Sequence, residues 1–85
     1  MARFLIERNF AERLELTKEA ASAVRGIEAE EGVRWLFSFL TADKKKTYCL
    51  YEAPNPEAIR IAARRAGLPA DVVIEVDEVR PDMFN

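Results

Sequence analysis

The stretch from Val33 to Leu40, VRWLFSFL, constrains the fold of this 85-residue chain more than any other segment. It is rich in aromatic residues, and the polar run TADKKK follows it, so the pattern predicts a β-strand that enters a hairpin. Strict alternation would give one face of this strand the side chains of Val33, Trp35, Phe37 and Phe39. A strand this apolar has to be covered, because an exposed apolar strand promotes aggregation.

The remaining segments supply the other elements. We predict strands over 2–8, 33–40, 46–53 and 71–79, and helices over about 17–31 and 56–66. Thr17 and Asn55 are the expected N-caps, and Pro56 stands at a first helical position. Leu16, Ala20, Val24 and Ile27 are spaced as one face of the first helix.

The order strand, helix, strand, strand, helix, strand is typical of an α+β, ferredoxin-like βαββαβ fold. Right-handed crossovers place both helices on one face of a four-stranded antiparallel sheet with strand order 4-1-3-2. We predict one domain over residues 1–80 and a C-terminal tail over 81–85. The apolar second strand then lies at an edge and the other sheet face stays bare, so we predict a homodimer that associates through its sheets.

Composition excludes several classes of function. A net charge of −2 argues against a nucleic-acid partner, which requires clustered Lys and Arg. No apolar run is long enough to span a membrane or to act as a signal peptide, so we expect no membrane partner. A single cysteine cannot form an internal disulfide, which fits a cytoplasmic location.

A candidate ligand pocket follows from the predicted faces of the sheet. If Leu50 faces the helices together with Ile6, Trp35, Phe37 and Ile74, alternation sends a polar set to the other face, against the partner. That set comprises Glu7, Arg34, Ser38, Cys49, Tyr51, Glu75 and Asp77. We expect Glu7, Cys49 and Glu75 to lie close together there. The alternative is that these groups form ion pairs at the sheet ends around an inert cysteine.

The absence of histidine limits the chemistry that this pocket could perform. Cys49 has no imidazole to activate it as a nucleophile, so we interpret it as a small buried residue, and we predict no catalytic residue. Zinc and nickel prefer imidazole and thiolate ligands, and only Cys49 and carboxylates such as Glu7 are available as weak candidates. A desolvated Glu7 or Asp77 could still act as a general base.

Four segments resemble a family of small bacterial proteins of largely unknown function, some of whose members are nickel-binding. The segments are RFLIERNF, EEGVRWLFSFL, TYCLYEAPNPEAIR and RRAGLPADVVIEV, which together span nearly the whole chain. The resemblance implies a dimeric ferredoxin-like fold. It also implies that the nickel-binding branch has histidines where this chain has Arg8, Ala63 and Leu68, and that only Cys49 keeps a ligand-capable side chain.

These observations favour a non-enzymatic ligand-binding or sensing domain that is related to nickel-binding proteins without binding nickel or another cofactor itself. One alternative is a small cofactor-independent enzyme, of monooxygenase or isomerase type, that uses the carboxylates of the sheet-face pocket. The other alternative is a divalent metal site, with nickel bound through Cys49 and carboxylates.

Overall fold

The computed structural model of the protein describes residues 1–85 and contains the predicted order of elements. The strands are β1 (Ala2–Asn9), β2 (Arg34–Leu40), β3 (Lys46–Ala53) and β4 (Val72–Val76). The helices are α1 (Lys18–Glu30) and α2 (Pro56–Ala66), and a 3-10 turn, η1 (Pro81–Phe84), ends the chain. The sheet is antiparallel with order β2-β3-β1-β4, which confirms the predicted ferredoxin-like topology.

Local signals fix where both helices begin and end. The side chain of Thr17 accepts a hydrogen bond from the Ala20 amide, at 3.1 Å, and Asn55 accepts one from the Ala58 amide, at 2.9 Å. Gly67 ends α2 in the left-handed region with φ of 70°, which a glycine adopts without steric cost. The predicted caps are therefore confirmed, and they set the directions in which the two helices leave the sheet.

The two faces of the sheet differ in what lies over them. The helices pack on one face, here called the covered face, where burial alternates strictly along β1 and β3. The covered face carries Phe4, Ile6, Arg8, Thr47, Cys49, Tyr51 and Ala53. The opposite face, here called the open face, has no element over it. The open face carries Leu5, Phe37, Phe39, Tyr48, Leu50, Ile74 and Val76.

The expected assignment of several side chains to these faces was wrong. Cys49 pairs with Ile6, and Tyr51 pairs with Phe4, so both belong to the covered face instead of the face away from the helices. Leu50 pairs with Leu5, which places it on the open face. Ile74 likewise lies opposite Leu5 on the open face.

A β-bulge explains the error in β2. The pairing shifts by one residue between Trp35 and Phe37, so Trp35 lies opposite Tyr51 on the covered face while Phe37 lies opposite Leu50 on the open face. A bulge inserts one extra residue and reverses the phase of alternation beyond it. Ser38 therefore also lies on the covered face, opposite Cys49.

The last strand is shorter than predicted, because β4 ends at Val76 instead of Val79. Beyond it, Val79, Met83 and Phe84 remain exposed around η1. Neither helix combines the length and the apolar character that crossing a lipid bilayer requires.

Candidate functional site

A cavity of about 260 Å³ lies between the covered face and α1. It forms because α1 does not close onto the sheet: along this helix Ala21 and Val24 are only partly buried, and Ala20 is exposed. The loop before the helix supplies another part of the wall through Phe10, Leu14 and Leu16. Most of the residues that line the cavity are hydrophobic, so it is an apolar space within the monomer.

The guanidinium of Arg8 is the charged group on the sheet side of this cavity. Arg8 is only 4% exposed. Its Nη1 donates to the Pro69 carbonyl at 2.5 Å, its Nη2 donates to the Tyr51 hydroxyl at 3.4 Å, and its Cζ lies 5.8 Å from the Tyr51 ring centroid. No carboxylate lies within ion-pair distance of it. A buried cation therefore faces the cavity, and both of its hydrogen-bond partners are neutral.

Glu28 on α1 lies on the other side of Tyr51. It is 3% exposed, and its Oε1 has no hydrogen-bond partner. Burial raises the pKa of Glu28 above its ordinary value, while the Tyr51 hydroxyl, Arg8 and Arg25 act in the opposite direction. Burial and the neighbouring Glu28 also raise the pKa of Tyr51, so the phenol stays protonated. Arg8, Tyr51 and Glu28 thus form a buried polar row beneath the helix.

Cys49 lines the same cavity in a setting that suits neither a nucleophile nor a metal ligand. Its Sγ lies 3.5 Å from the Thr47 hydroxyl, and the residue is buried. No group of three or more Cys, Asp or Glu side chains in residues 1–85 is placed to hold a metal ion. The permanent charge of Arg8 on this face also repels cations. The residues present therefore do not fit nickel or zinc, which require several converging donors.

The structure does not bring the predicted pocket residues together. Glu7 points to the open face, where its carboxylate lies 3.9 Å from Lys46 Nζ, on the side of the sheet opposite Cys49. Glu75 is exposed on the edge strand and lies opposite Phe4, so the expected cluster of Glu7, Cys49 and Glu75 is wrong.

The two other predicted residues lie at the margins of the open face. Arg34 is 3.6 Å from a carboxylate oxygen of Glu52, as the alternative of ion pairs at the sheet ends anticipated. Asp77 follows the end of β4 and borders a shallow open-face depression near Arg3 and Phe39. Of the predicted set, Ser38, Cys49 and Tyr51 line the cavity under α1.

Two buried charged residues at or beside the cavity, Arg8 and Glu28, were not predicted as site residues, although the sequence contains a signal for each. Arg8 is in phase with Phe4 and Ile6 along β1, so period-two alternation already placed it on their face. Glu28 follows Val24 by four residues, which puts both on one stripe of a helix. Their charges suggested solvent exposure, whereas their periodicity indicated burial.

Comparisons with known proteins agree with this fold. A family model described as "Nickel responsive protein SCO4226-like" matches residues 4–76. The crystal structure of SCO4226 from Streptomyces coelicolor A3(2) superposes with a TM-score of 0.79 at 26% sequence identity, over 93% of this chain and 100% of that one. No curated protein sequence matches the chain. The resemblance seen in the sequence is thereby confirmed.

Proposed function

The chain belongs to the SCO4226-like family of nickel-responsive proteins. We propose that it is a dimeric, non-enzymatic module that binds a small molecule instead of nickel. The ligand site is the cavity between the covered face and α1. This location differs from the predicted one, because the polar residues that line a cavity lie under the helix and not against a partner.

The observation that carries the proposal is the cavity itself, together with Arg8 at its wall. Ligand sites are typically apolar concavities that contain a few polar groups in defined positions. A cavity of about 260 Å³ lies just below the range that is usual for drug-sized ligands, which suits a smaller ligand. Arg8, Thr47 and Tyr51 provide the polar groups, and the bond from Arg8 to the Pro69 carbonyl holds the guanidinium in place.

The absence of metal as a native ligand is supported by the donors that surround Cys49. Its nearest polar partner is a threonine hydroxyl, and the buried charge on its face is positive. Titration of untagged protein with nickel, followed by calorimetry, should give no stoichiometric site of micromolar affinity. Such a site, if it is lost in Cys49→Ala or in Glu7→Gln, would contradict the proposal.

The dimer is supported by the composition of the open face. Phe37 and Phe39 are 48% and 66% exposed, and they pack edge to face at a centroid distance of 5.7 Å. Ion pairs stand around them, including Arg34 with Glu52 and Glu7 with Lys46. An apolar centre with a polar rim is the usual anatomy of a protein interface, so a second copy of the chain would cover this face.

The absence of catalysis is supported by the dispersion of the acidic residues. A mechanism based on carboxylates needs Glu7, Glu75 or Asp77 in a closed pocket, and Glu75 and Asp77 are exposed. Glu7 lies beside Lys46 near one end of the two central strands.

Trp35 offers a direct test of the cavity, because it is the single tryptophan and lines the site. Its indole Nε1 donates to the Ser38 hydroxyl at 2.8 Å. The NMR resonance of the indole N–H group will therefore shift when a ligand changes the cavity wall. Titration of ¹⁵N-labelled protein with indole, a small neutral probe, should shift this resonance saturably.

A matched pair of variants on one helix makes this test specific. Ala21 lines the cavity, whereas Ala23 is exposed and does not. Ala21→Leu fills space in the cavity and should weaken indole binding, whereas Ala23→Leu should leave it unchanged. Equal binding in the two variants, or no saturable shift in the wild type, would contradict the proposed site.

A further inference from the structure

We propose, building on the ligand site above, that its ligand is a small monocarboxylate whose charged group binds Arg8 and whose apolar body fills the space under α1. The inference concerns the chemical class of the ligand. It rests on how Arg8 is satisfied, on the charges around it and on the walls of the cavity.

Arg8 retains unused hydrogen-bonding capacity. A guanidinium has five N–H donors, and the side chain of Arg8 makes two hydrogen bonds, to the Pro69 carbonyl and the Tyr51 hydroxyl. Both partners are neutral. The remaining donors have no acceptor within the protein, and Arg8 is one of the residues that line the cavity. A planar carboxylate matches the fork of donors that a guanidinium presents.

The charge balance around Arg8 also favours an anion. Glu28 does not line the cavity, and no salt bridge within 4 Å joins it to Arg8; its charge acts on Arg8 at longer range, and burial raises its pKa, so it compensates the guanidinium only in part. Glu15 is the acidic residue of the cavity wall, and it is exposed. A buried cation without a paired anion is costly, so an anionic ligand relieves a cost that the protein leaves in place.

The walls select the rest of the ligand. Trp35, Leu14, Val24 and Leu68 provide an apolar surface beside the guanidinium. A volume of about 260 Å³ corresponds to roughly nine water molecules, which admits one small ring or a short chain together with a carboxylate. Inorganic anions fit the charge but leave the apolar surface unused.

Three probes of the same shape separate charge from size. Benzoate, benzamide and benzamidine share a ring and the same number of non-hydrogen atoms, and they are anionic, neutral and cationic. Titration of ¹⁵N-labelled wild-type protein, followed through the Trp35 indole resonance, should show benzoate binding about tenfold more tightly than benzamide, as expected for a charge-assisted hydrogen bond. Benzamidine should bind most weakly.

Variants then assign the preference to Arg8. Arg8→Met should abolish the difference between benzoate and benzamide, and Arg8→Lys should retain part of it because the positive charge remains. Arg64→Met is the control, since Arg64 is exposed on α2 and pairs with Glu57 at 3.7 Å. If Arg8→Met does not fold, the wild-type comparison of the three probes still decides the question.

The outcomes distinguish this inference from the proposed function. If indole binds while benzoate binds no better than benzamide, the monocarboxylate assignment is wrong and the cavity remains a ligand site. If neither indole nor any of the three probes binds, both proposals are wrong.

Discussion

The covered face and the open face of the sheet each depart from a simple division into an apolar core and a polar surface. The covered face buries Arg8, Thr47 and Tyr51, while the open face exposes Phe37 and Phe39 to solvent. Apolar side chains that remain in solvent forgo the stabilisation that their burial would give. The difference fits the proposed partner on the open face and the proposed ligand site on the covered face.

The largest expected effect is a difference in stability between two variants, each of which shortens one apolar side chain to alanine on a different face of the sheet. Ile6 is fully buried on the covered face, so Ile6→Ala should lower the free energy of unfolding by about 2–5 kcal/mol. Leu50 lies on the open face, only partly buried, and Leu50→Ala should cost less at low protein concentration, where monomer dominates. Urea denaturation measures both.

Protein concentration provides the control for this pair. The cost of Leu50→Ala should grow as the protein concentration rises into the range of the dimer, because dimer formation adds to apparent stability. The cost of Ile6→Ala should depend less on concentration. Equal costs for the two variants at every concentration would contradict the difference between the faces.

The second prediction tests the open face as an interface. Phe39→Asp places a charge at the apolar centre of the proposed contact, where it would be buried without a partner. We expect dimer dissociation to become at least about a hundredfold easier, as measured by sedimentation equilibrium. The stability of the monomer should change little, because Phe39 is 66% exposed. A wild-type protein that remains monomeric throughout would remove the basis for the dimer.

The fold could be predicted from the sequence, whereas the site could not. The element order, the strand order and the caps at Thr17 and Asn55 followed from short-range signals, and the structure confirms them. Each of these depends on local periodicity or on one side chain and its neighbours.

The prediction of the site depended on which face of the sheet each side chain was assigned to, and that assignment was wrong. Leu50 was assigned to the helix side because it is apolar, and the assignment moved Cys49 and Tyr51 to the wrong face. A one-residue change in phase moves every side chain to the other face. The bulge between Trp35 and Phe37 has no signature in the sequence, and the burial of Arg8 and Thr47 conflicts with the usual rule that charged and polar residues are exposed.

A third prediction concerns the buried polar row under α1. Because burial raises the pKa of Glu28, the folded state holds this proton more tightly than the unfolded state does. The stability that this proton contributes is fully present below the ordinary carboxyl pKa and is lost as pH rises through the raised value. Wild-type protein should therefore lose stability relative to Glu28→Gln as pH rises from acid toward neutral.

Urea denaturation of both proteins at a series of pH values gives this difference. Tyr51→Phe removes a hydroxyl that lowers the pKa of Glu28, so this pKa should rise further in the variant. The variant should therefore continue to lose stability up to a higher pH than the wild type does. A difference between wild type and Glu28→Gln that stays flat with pH would show that Glu28 is not buried as described.

The smallest effect is expected at the rim of the open face. Arg34 forms an ion pair with Glu52 at 3.6 Å, and its side chain is 74% exposed, so solvent screens the interaction. Arg34→Ala should change the unfolding free energy by less than about 0.5 kcal/mol at low protein concentration, as measured by urea denaturation. Its effect should instead appear in the dependence of dimer formation on salt, because a charge at the rim steers association more than it stabilises the complex. A loss well above about 1 kcal/mol in the monomer would mean that the protein's own residues already bury Arg34 and its ion pair. The open face would then not extend as far as β2.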